Sequence, residues 1–284
     1  MTDGGALINL GELSKPATVL IEKISDAVGG IAKPWQIKRI ARAEAEASLI
    51  EANARIEISE IEQRALIRMV REEGTRQENI EGITAQALPH LKEDAKPENI
   101  EQDWLTHFFE RCRLISDQQM QSVWSSILAG EANAPGSFSK RTIELIASLD
   151  KRDAELFSKF CSFIWVIGNA APLVYDSQHA IYVDNGINFE SLSHLDSLGL
   201  ITFNNIAGFQ RLKLPKRFAV LYFAQVVIVE MPQEAENSMQ IGNAVLTRAG
   251  HELARIVGTK PLPEFKEYVL KKWQEFGYKI ITPA

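Results

Sequence analysis

The chain has 284 residues, of which 45% are hydrophobic, 24% charged and 8% aromatic, a composition that excludes wholesale disorder, collagen and a disulfide scaffold. Its 31 basic and 37 acidic residues give a net charge of −6, which excludes a chain-wide attraction to nucleic acid or anionic lipid, so any basic surface must be local. Cys112 and Cys161 lie far apart and outside any CxxC pair, and the N-terminus lacks the basic start and apolar run of a signal peptide; a reduced, cytoplasmic chain is expected.

Residues 12–33 carry the first helical periodicity. Ala17, Leu20, Ile21, Ile24, Val28 and Ile31 recur at steps of three or four, Ser14 and Pro16 supply a start, and Gly29-Gly30 with Pro34 supply an end. Such a helix packs on its own domain, or its face of Leu20, Ile21, Ile24, Val28 and Ile31 lies in a membrane interface or docks on a partner.

From Trp35 to about Glu73 the chain is free of Pro and Gly and rich in Ala, Glu, Arg and Ile, which predicts one helix of about 38 residues, about 57 Å long. Ala43, Ala47, Ile50, Ala54, Ile58, Ile61, Ala65 and Met69 form a narrow seam whose spacing is closer to an 11-residue than a 7-residue repeat. A small-residue seam suits close helix–helix approach, so residues 35–88 are read as a homo-oligomerisation helix. The charges beside it, such as Glu51/Arg55 and Glu60/Arg64, are spaced for i,i+4 pairs on a solvated face.

Gly74 and the stretch 88–98 punctuate the chain. Trp104, Leu105, Phe108, Phe109, Cys112 and Ile115, then Met120, Val123, Trp124, Ile127 and Leu128, predict two short antiparallel helices with an aromatic core. A loop from Gly130 to Ser139 leads to a helix over 140–149, and Asp150 or Asp153 caps another running to about Gly168. The uncharged run Phe160–Tyr175, 16 residues with Asn169 and Pro172 inside it, is short of the roughly 20 residues a transmembrane helix needs.

Beyond residue 172 the pattern shifts to short strands, LVYD and AIYVDN, then a helix over 189–198 ended by Gly199. Strands follow at Gln210–Leu214 and Ala219–Glu230, a strand or turn at 244–247, a helix over 249–257, and a tail over 261–284 anchored by Tyr268, Trp273 and Phe276. The fold expected is mainly α with a smaller α/β part: an N-terminal segment (1–34), the long helix (35–88), a helical bundle (98–170), a winged-helix-like module (171–260) and the tail.

Chemical motifs are scarce. Ser137-Phe-Ser-Lys140 matches SxxK without its companion elements, the Gly130–Gly136 loop lacks the GK[ST] of a phosphate loop, and the five histidines are not at metal-ligand spacing. No catalytic set, metal or cofactor is assigned. Arg211, Lys213, Lys216 and Arg217 form the one local basic cluster, where a wing would contact nucleic-acid phosphates or a protein partner; Glu190, His194 and Asp196 on the would-be recognition helix argue against DNA.

The run DWLTHFFERCRLISDQQMQSVWSSILAGEANAPGSFSKRTIELIASLDKRDAELF, residues 103–157, resembles the core of an uncharacterised bacterial domain-of-unknown-function family, and its layout is similar to the Abi-alpha family of abortive-infection proteins. LTRAGHEL, residues 246–253, fits the same layout. The resemblance brings no catalytic residues. It implies a bacterial accessory protein in phage defence or carried by mobile elements, acting at the membrane after sensing infection. Taken with the helices read above, the function expected is that of a non-enzymatic oligomer whose N-terminal helix contacts membrane or effector, peripheral to the inner membrane, while its C-terminal module binds a partner or phage trigger. A winged-helix DNA-binding regulator and a hydrolase with an unrecognised site are the alternatives.

Overall fold

A computed structural model describes residues 13–29 and 60–281, which fall into two compact units divided between Ile143 and Glu144. Helix dominates, with several small antiparallel sheets.

In the first unit, α1 (Lys15–Val28) begins where Ser14 Oγ accepts from the Ala17 amide and ends where Gly29, at φ +80°, returns its N–H to Ser25 O. Its inward stripe, Ala17, Leu20, Ile21 and Ile24, is buried. Lys23 Nζ reaches over this contact to donate to Glu98 O at 2.7 Å and to Ile100 O. Full burial of each large aliphatic side chain stabilises by about 1.5–3 kcal/mol.

The second helix, α2 (Glu60–Ala87), runs unbroken through Gly74, so that glycine does not punctuate the chain. A glycine in an exposed helix interior costs only about 1 kcal/mol, which the good helix formers around it absorb. The chain turns through short 3-10 segments at Leu88–His90 and Pro97–Asn99, the region expected to be a hinge. It then forms α3 (Gln102–Cys112) and α4 (Gln118–Asn133), the latter capped by Asp117, whose side chain accepts from the Gln119 and Met120 amides. Phe108 meets Trp104 and Phe109 of its own helix, each at 5.1 Å, and Trp124 of α4 at 5.2 Å.

α4 continues through Gly130, and its last turn organises the following loop. Buried Glu131 accepts from the Gly136 amide at 2.6 Å and the Phe138 amide at 2.9 Å, while Trp104 Nε1 donates to Phe138 O at 2.7 Å. Only the C-terminal part of α2 is buried, through Ile80, Ile83, Thr84 and Ala87 against α4. There Asn79 Nδ2 donates to Arg113 O and Ser116 Oγ (2.9 and 3.2 Å), and Gln121 Nε2 donates to Asn79 Oδ1 and Ile115 O (3.1 and 2.8 Å). This buried amide network sets the register of α2 on the α3–α4 turn. α5 (Lys140–Ala147) follows, with Ser139 Oγ accepting from the Thr142 amide as its cap.

The second unit takes in the end of α5 and continues with α6 (Lys151–Cys161), started by a capping box of Asp150 and Asp153. The expected continuation to Gly168 is not helical: the apolar run turns into a hairpin of β1 (Ile164–Ile167) and β2 (Asn169–Pro172) about Gly168 at φ +75°. The expected AIYVDN strand is instead one helical turn, α7 (Ala180–Val183), begun by His179 Nδ1 accepting from the Ile181 amide. α8 (Phe189–Ser197) lies where the sequence places it, capped by Asn188 and Ser191.

The remaining strands are β3 (Ile201–Phe203), β4 (Phe209–Leu214), β5 (Arg217–Tyr222), β6 (Gln225–Glu230), β7 (Asn237–Gly242), β8 (Ala244–Leu246) and β9 (Lys279–Ile281). They form a five-stranded sheet in the order β2-β1-β5-β6-β9 and two pairs, β3-β8 and β4-β7. The single strand expected over 219–230 is therefore a hairpin, closed at Phe223-Ala224 with Phe223 at φ +53°.

One face of the large sheet packs on α10 (Pro263–Glu275): Trp165 stacks on Tyr222 at 5.0 Å and meets Trp273 edge-on at 4.9 Å. Tyr222 Oη donates to Ser162 O and accepts from the Leu262 amide, at 2.9 and 2.8 Å. α9 (Arg248–Ala254) carries Gly250 so close to the chain end of α8 that a Cβ there would lie 2.0 Å from Leu200 O. The winged-helix-like module expected over 171–260 is not confirmed: β4 and β5 belong to different sheets, so Arg211, Lys213, Lys216 and Arg217, placed where a wing would lie, do not share one hairpin.

Because Asn79 uses both ends of its amide, Asn79→Ala strands Gln121 Nε2, the Arg113 carbonyl and the Ser116 hydroxyl. The variant loses about 1–3 kcal/mol of stability, read as a lower urea midpoint at unchanged slope.

Candidate functional site

The N-terminal face offered to a membrane or partner is turned inward. Leu20, Ile21 and Ile24 are buried in the first unit against α3 and the 97–99 turn, and Val28 is half-buried. Ile31 lies outside the described residues. The structure holds α1 packed on its own unit, with Ala17, Leu20, Ile21 and Ile24 buried where it meets α3 and the 97–99 turn. Among the described residues no helix is long and apolar enough to cross a membrane.

The self-association seam divides. Ala43, Ala47, Ile50, Ala54 and Ile58 lie outside the described residues. Ile61 and Met69 are 70% and 62% exposed, and Ala65 is exposed. At 3.6 residues per turn these three fall within about 100° of the same side of α2 as Ile80, Ile83 and Ala87. A single stripe is therefore core at one end of the helix and solvent-facing at the other. Between the two ends it becomes polar at Glu72 and Arg76. The ion pairs there, Arg64–Glu60 at 3.4 Å, Arg68–Glu72 at 3.6 Å and Arg76–Glu72 at 3.7 Å, are solvated helix pairs worth a few tenths of a kcal/mol, about 0.3–0.5 each.

The basic cluster is less basic in space than in sequence. Lys216 pairs with Glu234, which holds its ammonium pKa above the usual value, and Arg217 pairs with Glu230 at 3.2 Å. Both acids come from beyond Val229, outside the window in which the cluster was read. Lys213 stands at φ +60° on β4. Arg211 is half-buried, with its Nε lacking a hydrogen-bond partner among the described residues. It adds with Arg255 to the field on His251, whose pKa is lowered first by burial and then by these two guanidiniums. The four residues therefore do not form one open cationic patch.

Other titratable groups are structural. His194 Nε2 lies 2.7 Å from Asp153 Oδ1 and ties α8 to α6. Burial pushes the Cys112 and Cys161 thiols upward, opposite to the shift a nucleophile needs. Among the described residues no three His, Cys, Asp or Glu side chains gather as metal ligands.

One feature lay beyond sequence reasoning. A groove of about 310 Å³ between α2 and the α3–α4 turn is lined by Arg71, Thr75, Arg76, Arg113 and Ser116, with Asn79 at its base. Arg71, Thr75 and Asn79 recur at steps of four, the only signal in the chain. Arg113 comes from the other side of the turn, and nothing in the sequence pairs it with α2.

The family described as Protein of unknown function (DUF2806) matches residues 63–270. No curated protein and no solved structure matches the chain.

Because His251 binds its proton less readily folded than unfolded, the unfolded chain gains protons first as pH falls. Stability falls as pH drops from the ordinary histidine value of 6.5 toward the lower folded value. Thermal unfolding in His251→Gln shows a shallower loss over that interval than the unaltered chain; identical profiles would remove this assignment.

Proposed function

The chain belongs to the DUF2806 family, and we propose that it is a self-associating helical protein, without catalytic chemistry of its own, that works as an assembly in phage defence. The observation that carries the reading is the continuation of the α2 core stripe into solvent at Ile61, Ala65 and Met69. The occupant of that stripe is a second copy of the same chain. An antiparallel pair of α2 helices crossing at the small Ala65 sets Ile61 of one against Met69 of the other and Glu62 against Arg68, so both the apolar and the charged positions are complementary.

The seam upstream, Ala43 to Ile58, has the spacing to extend the same contact. The role in defence rests on the layout shared with Abi-alpha proteins over residues 103–157, and the C-terminal unit supplies the partner-binding part of the reading. The buried state of Leu20, Ile21 and Ile24 moves the partner contact from α1 to α2. A regulator that binds DNA through Arg211, Lys213, Lys216 and Arg217 is the weaker reading, since two of the four are neutralised by Glu234 and Glu230.

Light scattering on the full chain should give a defined multiple of the 31.8 kDa protomer. Ile61→Glu combined with Met69→Glu should reduce it to a monomer with unchanged helix content. A monomeric unaltered chain, or a double variant that assembles as before, contradicts the proposal.

A further inference from the structure

We propose that the groove between α2 and the α3–α4 turn binds a phosphorylated small molecule. Three guanidiniums, Arg71, Arg76 and Arg113, line it from two segments of the first unit, against one lining carboxylate, Glu72, which Arg68 and Arg76 already share. A solvated ion-pair network accounts for Arg68 and Arg76. It does not account for Arg113, whose Nε is buried and without a hydrogen-bond partner among the described residues. An anion in the groove would give the Arg113 guanidinium a charged partner there.

The groove is also built rather than incidental. Asn79 Nδ2 holds Arg113 O at 2.9 Å and Ser116 Oγ at 3.2 Å, so the backbone that carries Arg113 is fixed to α2 by the same amide network that sets the helix register. Ser116 Oγ accepts in that bond, which leaves its own hydrogen to donate. Arg76 is oriented by Glu73, with which it hydrogen-bonds, and by Glu72.

Guanidiniums approaching from two sides, with the Thr75 and Ser116 hydroxyls between them, suit the three terminal oxygens of a phosphomonoester better than the two of a carboxylate. The cavity is larger than a bare phosphate, and Leu114 gives it an apolar wall against which an organic body can rest. The ligand class is therefore a phosphate ester of about mononucleotide size. The site shares Glu72 and Arg76 with the polar interruption of the α2 stripe but none of its apolar residues, and its test does not depend on self-association.

The test is isothermal titration of the full chain with inorganic phosphate and with adenosine 5′-monophosphate, using succinate and chloride at matched ionic strength as controls. Saturable binding of at least one of the two phosphates, not shared by the controls, is expected. Arg113→Gln and Arg71→Gln should each weaken it about 10- to 100-fold while leaving the ligand-free unfolding temperature unchanged. Arg113 Nε has no hydrogen-bond partner among the described residues, and Arg71 lies on the exposed part of α2, where a helix ion pair is worth only about 0.3–0.5 kcal/mol, so both variants stay folded. Absence of saturable binding by either phosphate, equal binding of succinate, or full affinity in both variants would overturn the proposal.

Discussion

The helix α2 carries one apolar stripe with two fates, and most of what distinguishes the first unit depends on where that stripe changes from covered to uncovered. At its C-terminal end Ile80, Ile83 and Ala87 are buried against α4. The Asn79–Gln121 amides then lock the register, because each of these buried polar groups is satisfied only in this alignment. Toward Glu60 the same face has no cover among the described residues, although its spacing does not change. A helix of this length is stabilised mainly by packing rather than propensity, so an uncovered apolar face is energetically incomplete. The polar interruption at Glu72 and Arg76 marks the boundary, and the arginine-lined groove opens at that point.

The second unit follows a different plan. Its five-stranded sheet is assembled from segments distant in sequence, β1 with β5 and β6 with β9, and is sealed on one side by aromatic rings from β1, β5 and α10. Tyr222 Oη donates to Ser162 O and Trp273 Nε1 donates to Tyr175 Oη at 2.8 Å, while Trp165 Nε1 is buried without a hydrogen-bond partner among the described residues. Two glycines are obligatory where backbones meet. Gly242, at φ +94°, and Gly250 would each place a Cβ within about 2 Å of a carbonyl oxygen, 2.2 Å from Val174 O and 2.0 Å from Leu200 O.

Helices with local signals were readable from the chain. Ser14, Asp117 and Asp150 each start the helix that follows them, and the aromatic spacing of α3 and α4 matches their buried faces. What was hidden depended on distance. The run 160–175 is uncharged and mostly apolar, so it has no clear period from which a hairpin can be told from a buried helix. The β-prone residues Ile181, Tyr182 and Val183 form a helical turn because His179 caps them and Tyr182 Oη donates to Leu173 O at 2.7 Å. The β5–β6 turn at Phe223-Ala224 lacks the Gly or Asn that announces a tight hairpin. In the candidate sites the same limit applies: the acids that neutralise Lys216 and Arg217, and the arginine that completes the groove, all lie outside the windows in which those clusters were read.

Amide hydrogen exchange along α2 of the full chain, followed as protein concentration is raised, tests the two-fated stripe most directly. Residues 79–87 should exchange slowly at every concentration, while residues 61–76 should be weakly protected in dilute solution and gain protection as the chain is concentrated. Protection of 61–76 that is already strong in dilute solution and independent of concentration would show that the stripe is covered within one chain and would contradict the account.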